Sequence, residues 1–144
     1  MHSHAGAWER ERTAIDRLND AVNTDLSYAS RFDLAYNAAH GLALAALRSA
    51  GYRSDKRYLV FQCLAHTCNL SKSRIRTLSL CHDRRNRAEY GGYLEQDEAL
   101  LLELIANTQS LLKSVRSINL SQDGAASRTP RYIVNPVGCA LAHR

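Results

Sequence analysis

The sequence predicts an all-α protein, and three observations carry that expectation. Proline occurs only at positions 130 and 136, so the first ~120 residues lack the strongest helix breaker. The same stretch is rich in Ala, Leu, Arg and Glu, residues that lose little freedom in a helix. Its apolar residues return at the three- and four-residue spacing of one helical face. At 144 residues the chain can bury a core of its own and is expected to form one domain. The expected division is a helical bundle over 1–120 and a flexible C-terminal tail over 121–144, where Gly, Ser and Pro replace the periodic pattern.

Trp8, Ile15, Leu18 and Val22 mark a first helix over about 7–22. Asn23-Thr24-Asp25 is its stop and offers a cap for the next helix. The second helix, about 27–50, carries Leu34, Ala35, Ala38, Ala39, Leu42, Ala43, Ala45, Ala46 and Leu47 around nearly its whole circumference and so should be buried, with Gly51 closing it. One polar line survives on it, Asp33, Asn37 and His40, read either as hydrogen-bonded core groups or as support for a site. A third apolar helix is expected over about 58–67 (Leu59, Val60, Phe61, Leu64). Ser71 caps a fourth over about 72–90, ended by Gly91-Gly92. The fifth, about 95–118, places Leu101, Leu104, Ile105, Thr108, Leu111, Leu112, Val115 and Ile118 on one face, with Glu95, Asp97 and Glu98 in its first turn. In the tail, Tyr132-Ile133-Val134 offers apolar surface to a partner.

Charges interrupt the apolar stretches well short of ~20 residues, so no membrane span is expected. Glu9, Arg10, Glu11 and Arg12 stand where a signal peptide needs an apolar run. The cysteines (63, 68, 81, 139) lack a CxxC spacing and read as buried reduced thiols of a cytoplasmic protein. A zinc site would have to recruit His66 or His82 from a distance, so neither a metal nor another cofactor is expected. The net charge of +5 admits a polyanionic partner. Most of the excess lies between Ser71 and Tyr90, where Lys72, Arg74, Arg76, Arg84, Arg85 and Arg87 face only Asp83 and Glu89.

That segment holds the candidate site. On a helical projection Ile75, Leu78, Cys81 and Ala88 define an inward stripe with Arg85 near its centre, His82 and Glu89 at its margin and Asn86 slightly beyond. Arg76, Arg84 and Arg87 form a solvated, phosphate-attracting face. An Arg on an apolar stripe needs a partner or an open groove. Two accounts follow. In one, Arg85 and Glu89 form an internal clasp, joined by Asp33 or Asn37. In the other, Arg85, Asn86, His82 and Tyr90 line a cleft and meet a ligand. His82 has the chemistry of a general base, Arg85 can hold a phosphate bidentately, and Asn86 can position a nucleotide. Those parts suit metal-independent RNA cleavage and nucleotide binding equally. No Walker loop, HExxH or dinucleotide-binding glycine turn is present.

The string Arg85-Asn86-Arg87-Ala88-Glu89-Tyr90, near the end of a long helix, resembles the HEPN superfamily (higher eukaryotes and prokaryotes nucleotide-binding domain). The stretch from Arg31 to His40, Arg57-Tyr58-Leu59-Val60-Phe61-Gln62 and Cys81-His82 are similar to a bacterial HEPN-like group, so the resemblance covers residues 25–115. It implies an antiparallel four- to five-helix bundle, usually a homodimer. It also implies a metal-independent endoribonuclease, or an RNA- or nucleotide-binding relative, in toxin–antitoxin or defence systems. The family's catalytic motif is an Arg, commonly followed by Asn, with a His five positions after the Arg. Arg85 and Asn86 match, but Tyr90 occupies the histidine position. Tyrosine, with a pKa near ~10, is no base at neutral pH. The resemblance therefore implies an RNA- or nucleotide-binding domain first. An RNase using Arg85, Asn86 and His82 is one alternative, and a non-enzymatic dimerisation or assembly module is another. A cognate antitoxin, or a nucleotidyltransferase modifying Tyr90 or Tyr93, would be a further partner.

Overall fold

Small side chains let helices approach closely, and the alanine-rich second helix lies accordingly at the centre of the molecule. The computed structural model describes residues 2–121 and 131–132. In chain order these form α1 (His2–Ala21), α2 (Tyr28–Ser49), the short strand β1 (Tyr52–Arg53), α3 (Arg57–Gln62), α4 (Leu64–Thr67), α5 (Lys72–Gly91), α6 (Glu98–Ser121) and β2 (Arg131–Tyr132). The fold is an all-α bundle, and α2 touches every other helix and β1. Ala35, Ala38, Ala39, Ala43, Ala45 and Ala46 are each at most 2% exposed. Phe32, Tyr36, Leu42 and Leu47 fill the space between them and the facing elements. The expected face of α6 is also the buried one: Leu101, Leu104, Thr108, Leu111 and Val115 are sealed from solvent. Truncating one such leucine to alanine removes its contacts and leaves a void, at a cost of about 2–5 kcal/mol.

Helix ends follow local chemistry. The Ser71 hydroxyl accepts from the Arg74 amide at 3.3 Å and caps α5, as expected. Gly92 ends that helix in the left-handed region (φ 73°), donating back to the Ala88 carbonyl. Gly51 takes φ 91° just beyond α2. The cap of α2 is Ser27, whose hydroxyl accepts from the Ser30 amide at 3.2 Å. Asn23 instead closes a turn by accepting from the Asp25 amide at 3.0 Å.

Several expectations need correction. α6 starts at Glu98 rather than near 95, because Asp97 is its cap and accepts from the Leu100 amide at 3.1 Å. The expected single helix over 58–67 is two, since the Cys63 carbonyl accepts from both His66 (2.9 Å) and Thr67 (3.0 Å) and the chain tightens there. α1 packs on Glu11, Ala14, Leu18 and Ala21, leaving Trp8 and Val22 about half exposed. The small residues on that line are what permit its close contact with α2. Cys63 is disulfide-bonded, so the expectation of reduced thiols throughout fails there, while Cys68 and Cys81 are free. Cys139 lies outside the described residues. Within the segment expected as a flexible tail, Arg131 and Tyr132 pair in parallel with Tyr52 and Arg53. The rest of 122–144, including Ile133 and Val134, lies outside the described residues. Among the described residues no helix is long and apolar enough to cross a membrane.

Three polar contacts pin the bundle. Buried Arg31 donates from Nε to the Ala21 carbonyl (2.8 Å) and from Nη1 to Glu98 (3.1 Å), joining the end of α1 to the start of α6. Glu11, 4% exposed, receives Arg116 Nε at 2.6 Å and Asn119 Nδ2 at 3.2 Å from α6. The Tyr28 hydroxyl donates to the Asp97 carbonyl at 3.1 Å.

Candidate functional site

The site is built where α2, α3 and α5 meet, around an aromatic nucleus. α2 brings Tyr36 and, one turn later, His40. α3 brings Phe61, fully buried, and α5 brings His82. Phe61 stands edge-on to Tyr36 (5.8 Å), His40 (6.0 Å) and His82 (6.5 Å). Offset and edge-to-face pairs of this kind contribute about 0.5–1.5 kcal/mol each beyond the area they bury. They also fix the two imidazoles in place.

His82 has both ring nitrogens engaged. Asn86, one helical turn later, donates from Nδ2 to Nε2 at 3.1 Å. An amide nitrogen only donates, so Nε2 is the bare nitrogen and the ring proton sits on Nδ1. Nδ1 then donates to the Tyr36 hydroxyl oxygen at 2.9 Å, and the hydroxyl keeps its own proton for a further acceptor. Burial lowers the pKa of His82, Asp83 opposes that, and Arg57 and Arg85 lower it again. Burial first, then Arg57, Arg85 and His82, push His40 down to about 4. Burial raises the pKa of Tyr36 against a hydrogen bond from Arg57 and the charges of Arg57 and Arg85. At neutral pH the nucleus therefore holds two neutral imidazoles and a neutral phenol beneath two guanidiniums.

Arg85 lies over the Tyr36 ring, with its guanidinium carbon 4.9 Å from the centroid. Its Nε donates to Asp33 at 3.2 Å, and its Nη1 stands 4.0 Å from Glu89. The side chain is nonetheless 27% exposed, so Arg85 is clasped and reachable at once. Asn37 donates to the other oxygen of Asp33 at 3.2 Å, which steers that carboxylate toward Arg85. The polar line of α2 thus serves α5.

The structure brings Arg85, Asn86, His82, Glu89, Asp33 and Asn37 together. It does not bring Arg84, Arg87 or Tyr90 to them. Arg84 points toward the segment that leads into α6, with Nη1 at 3.6 Å from Asp97 and 3.7 Å from Glu95, so it ties α5 to that segment rather than forming part of a solvated face. Its place on the Cys81–Ala88 side of the helix explains this. Arg87 is exposed with Lys72, Arg74 and Arg76 and forms the solvated basic face. Tyr90 is 91% exposed at the last turn of α5, with no contact to the nucleus. Sequence reasoning missed Tyr36 and Arg57 as parts of the site. Tyr36 was not singled out on the second helix, although its place three residues after Asp33 and four before His40 puts it beside the polar line. Arg57, at the head of α3, gave no signal of its own because only folding sets it against Tyr36. Among the described residues no three His, Cys, Asp or Glu side chains are arranged to hold a metal ion. Compared with known proteins, the chain matches no family model, no curated sequence and no solved structure.

Proposed function

We propose that this chain is a HEPN-like helical domain that binds RNA or a nucleotide and does not cleave it. The observation that carries the reading is the joining of Arg85, Asn86 and His82 on one face of α5 over Tyr36, with a second guanidinium, Arg57, at the same ring. Two guanidiniums over the Tyr36 ring, one of them partly offset by Asp33 and Glu89, supply N–H donors suited to phosphate oxygens. Lys72, Arg74, Arg76 and Arg87 extend positive charge along the exposed side of the same helix, where it draws a polyanion in. The engaged nitrogens of His82 argue against cleavage, since a base needs a lone pair free to take the 2′-hydroxyl proton. As for HEPN relatives in toxin–antitoxin and defence systems, the working unit would be a homodimer. The disulfide at Cys63 removes one of the grounds for expecting a cytoplasmic location.

Binding of a labelled single-stranded RNA, followed by fluorescence anisotropy with chelator present, tests this reading. Wild-type protein should bind without shortening the RNA, and Arg85→Ala should bind at least about tenfold more weakly. Unchanged binding by Arg85→Ala would sink the proposal, and metal-free cleavage would establish the ribonuclease alternative.

A second reading has its own observation. The Arg85–Asp33 contact joins α5 to α2, as a purely structural clasp would. On that reading Arg85→Ala and Asp33→Ala lower the melting temperature or dissociate a dimer, and no RNA is bound.

A further inference from the structure

Arg57 is hydrogen-bonded to Tyr36, yet one of its nitrogens is left without a partner. Its guanidinium carbon lies 5.8 Å from the Tyr36 centroid. Its Nη1 is shielded from solvent and has no hydrogen-bond partner among the described residues. Arg85, by contrast, is held by Asp33 and Glu89. A shielded guanidinium N–H without an acceptor is costly, and a bound acceptor would offset that cost. The surroundings define that acceptor. The Tyr36 hydroxyl, sealed beneath the guanidiniums, accepts from His82 Nδ1 and is hydrogen-bonded to Arg57. His40 and His82 both stand within the field of Arg57 and Arg85. The carboxylates of the cluster, Asp33 and Glu89, are more than half exposed and lie on the Arg85 side. The unpartnered donor thus comes from α3, with the flanking charge from α5. Groups approaching from separate elements suit a tetrahedral anion with several oxygens better than a planar carboxylate.

We propose that Arg57 is the phosphate-receiving residue of this site: its Nη1 donates to a phosphate oxygen of a nucleotide, and Arg85, 27% exposed, supplies flanking charge and a second donor. This rests on the RNA- or nucleotide-binding reading and adds a residue from outside the motif segment. The phosphate belongs either to a nucleotide terminus or to an internal link of an RNA strand, and the experiment separates the two.

Titration of the full chain with AMP, and with a short single-stranded RNA lacking terminal phosphates, by calorimetry at low salt tests the proposal. Wild-type protein should bind one or both. Binding of AMP alone assigns a terminal phosphate, and binding of the RNA assigns an internal one. Arg57→Gln should weaken the bound probe by at least about tenfold. Arg12→Gln, an exposed site on α1, should not. The His40 ring, followed by NMR, should titrate higher when the probe is bound, because the anion offsets the field of the guanidiniums. Wild-type affinity in Arg57→Gln, or an equal loss in Arg12→Gln, overturns the assignment of Arg57 while leaving the wider reading intact. Failure of wild-type protein to bind either probe overturns both. If Arg57→Gln does not fold, Arg57→Lys, which keeps charge but loses the planar fork, should bind more weakly than wild type, and equal binding rejects the proposal.

Discussion

At the scale of single residues, histidine is the most informative side chain here. His40 sits at about 4, well below its ordinary 6.5. The unfolded chain therefore takes up this proton first. The stability that depends on neutral His40 is complete above about pH 6.5 and is lost as pH falls toward about 4. The loss from this residue should be roughly 1–3 kcal/mol. Urea denaturation at about pH 7.5 and about pH 5 should show it, and His40→Leu should flatten the difference between the two conditions. Cysteine gives a second test. Burial pushes the Cys81 thiol up to about 12, so little thiolate forms at neutral pH. Cys81 should resist a thiol reagent in the native protein and react once urea unfolds it. Rapid labelling of Cys81 in the native state would contradict the packing of α5 against its neighbours. Arg85 and Asn86 were legible as site residues because an arginine on an apolar stripe is unusual in any sequence. Tyr36 was not, because a tyrosine among alanines reads as core until its hydroxyl has a named partner.

At the scale of elements, the polar pins between helices are where substitutions should tell most. Glu11 joins α1 to α6 through Arg116 and Asn119. Arg116 is half exposed and can return to water, so Glu11→Ala should cost about 1–3 kcal/mol rather than the larger loss of a fully buried pair. Thermal melts of Glu11→Ala and Arg116→Ala should show the glutamate as the more costly of the two. A wild-type melting temperature in Glu11→Ala would mean that α1 docks through its alanines alone. Asn69 provides a backbone test, since it takes φ 53° between α4 and α5. Asn69→Ala should lose roughly 1 kcal/mol while Asn69→Gly should lose less. Helix α6 was readable almost residue by residue, because a single apolar face against α2 produces a strict periodicity. The phase of α1 was not. The large residues Trp8 and Val22 suggested one face, while the chain buries Ala14 and Ala21 beside Glu11 on another. The sequence ranks residues by size and polarity, and close packing here favoured the small ones.

At the scale of the whole molecule, two features tie distant segments together. Residues 131–132 pair with β1, and Cys63 in the core is disulfide-bonded. A disulfide restricts the unfolded chain and commonly contributes about 2–4 kcal/mol. Adding a reductant should therefore lower the melting temperature by several degrees, roughly as that free energy predicts for a chain of this size. An unchanged melt under reducing conditions, with the bond shown broken by mass, would mean that the helices alone set the stability. The proposed homodimer belongs to this scale too, and sedimentation of the purified protein reads it directly.

The sequence by itself determined that this chain is helical, that the segment 28–49 lies at its centre, and that Arg85 and Asn86 occupy a position no ordinary surface helix needs. These follow from local rules: periodicity, capping and the cost of placing a charge on an apolar stripe. Only the tertiary structure decided which partners those residues meet. It set Asp33 beneath Arg85, closed both nitrogens of His82, turned Arg84 toward α6 and brought Arg57 to the ring of Tyr36. Apart from the bond between Asn86 and His82 within α5, each of those contacts joins residues from separate segments, and no spacing along one helix encodes how the next will pack against it.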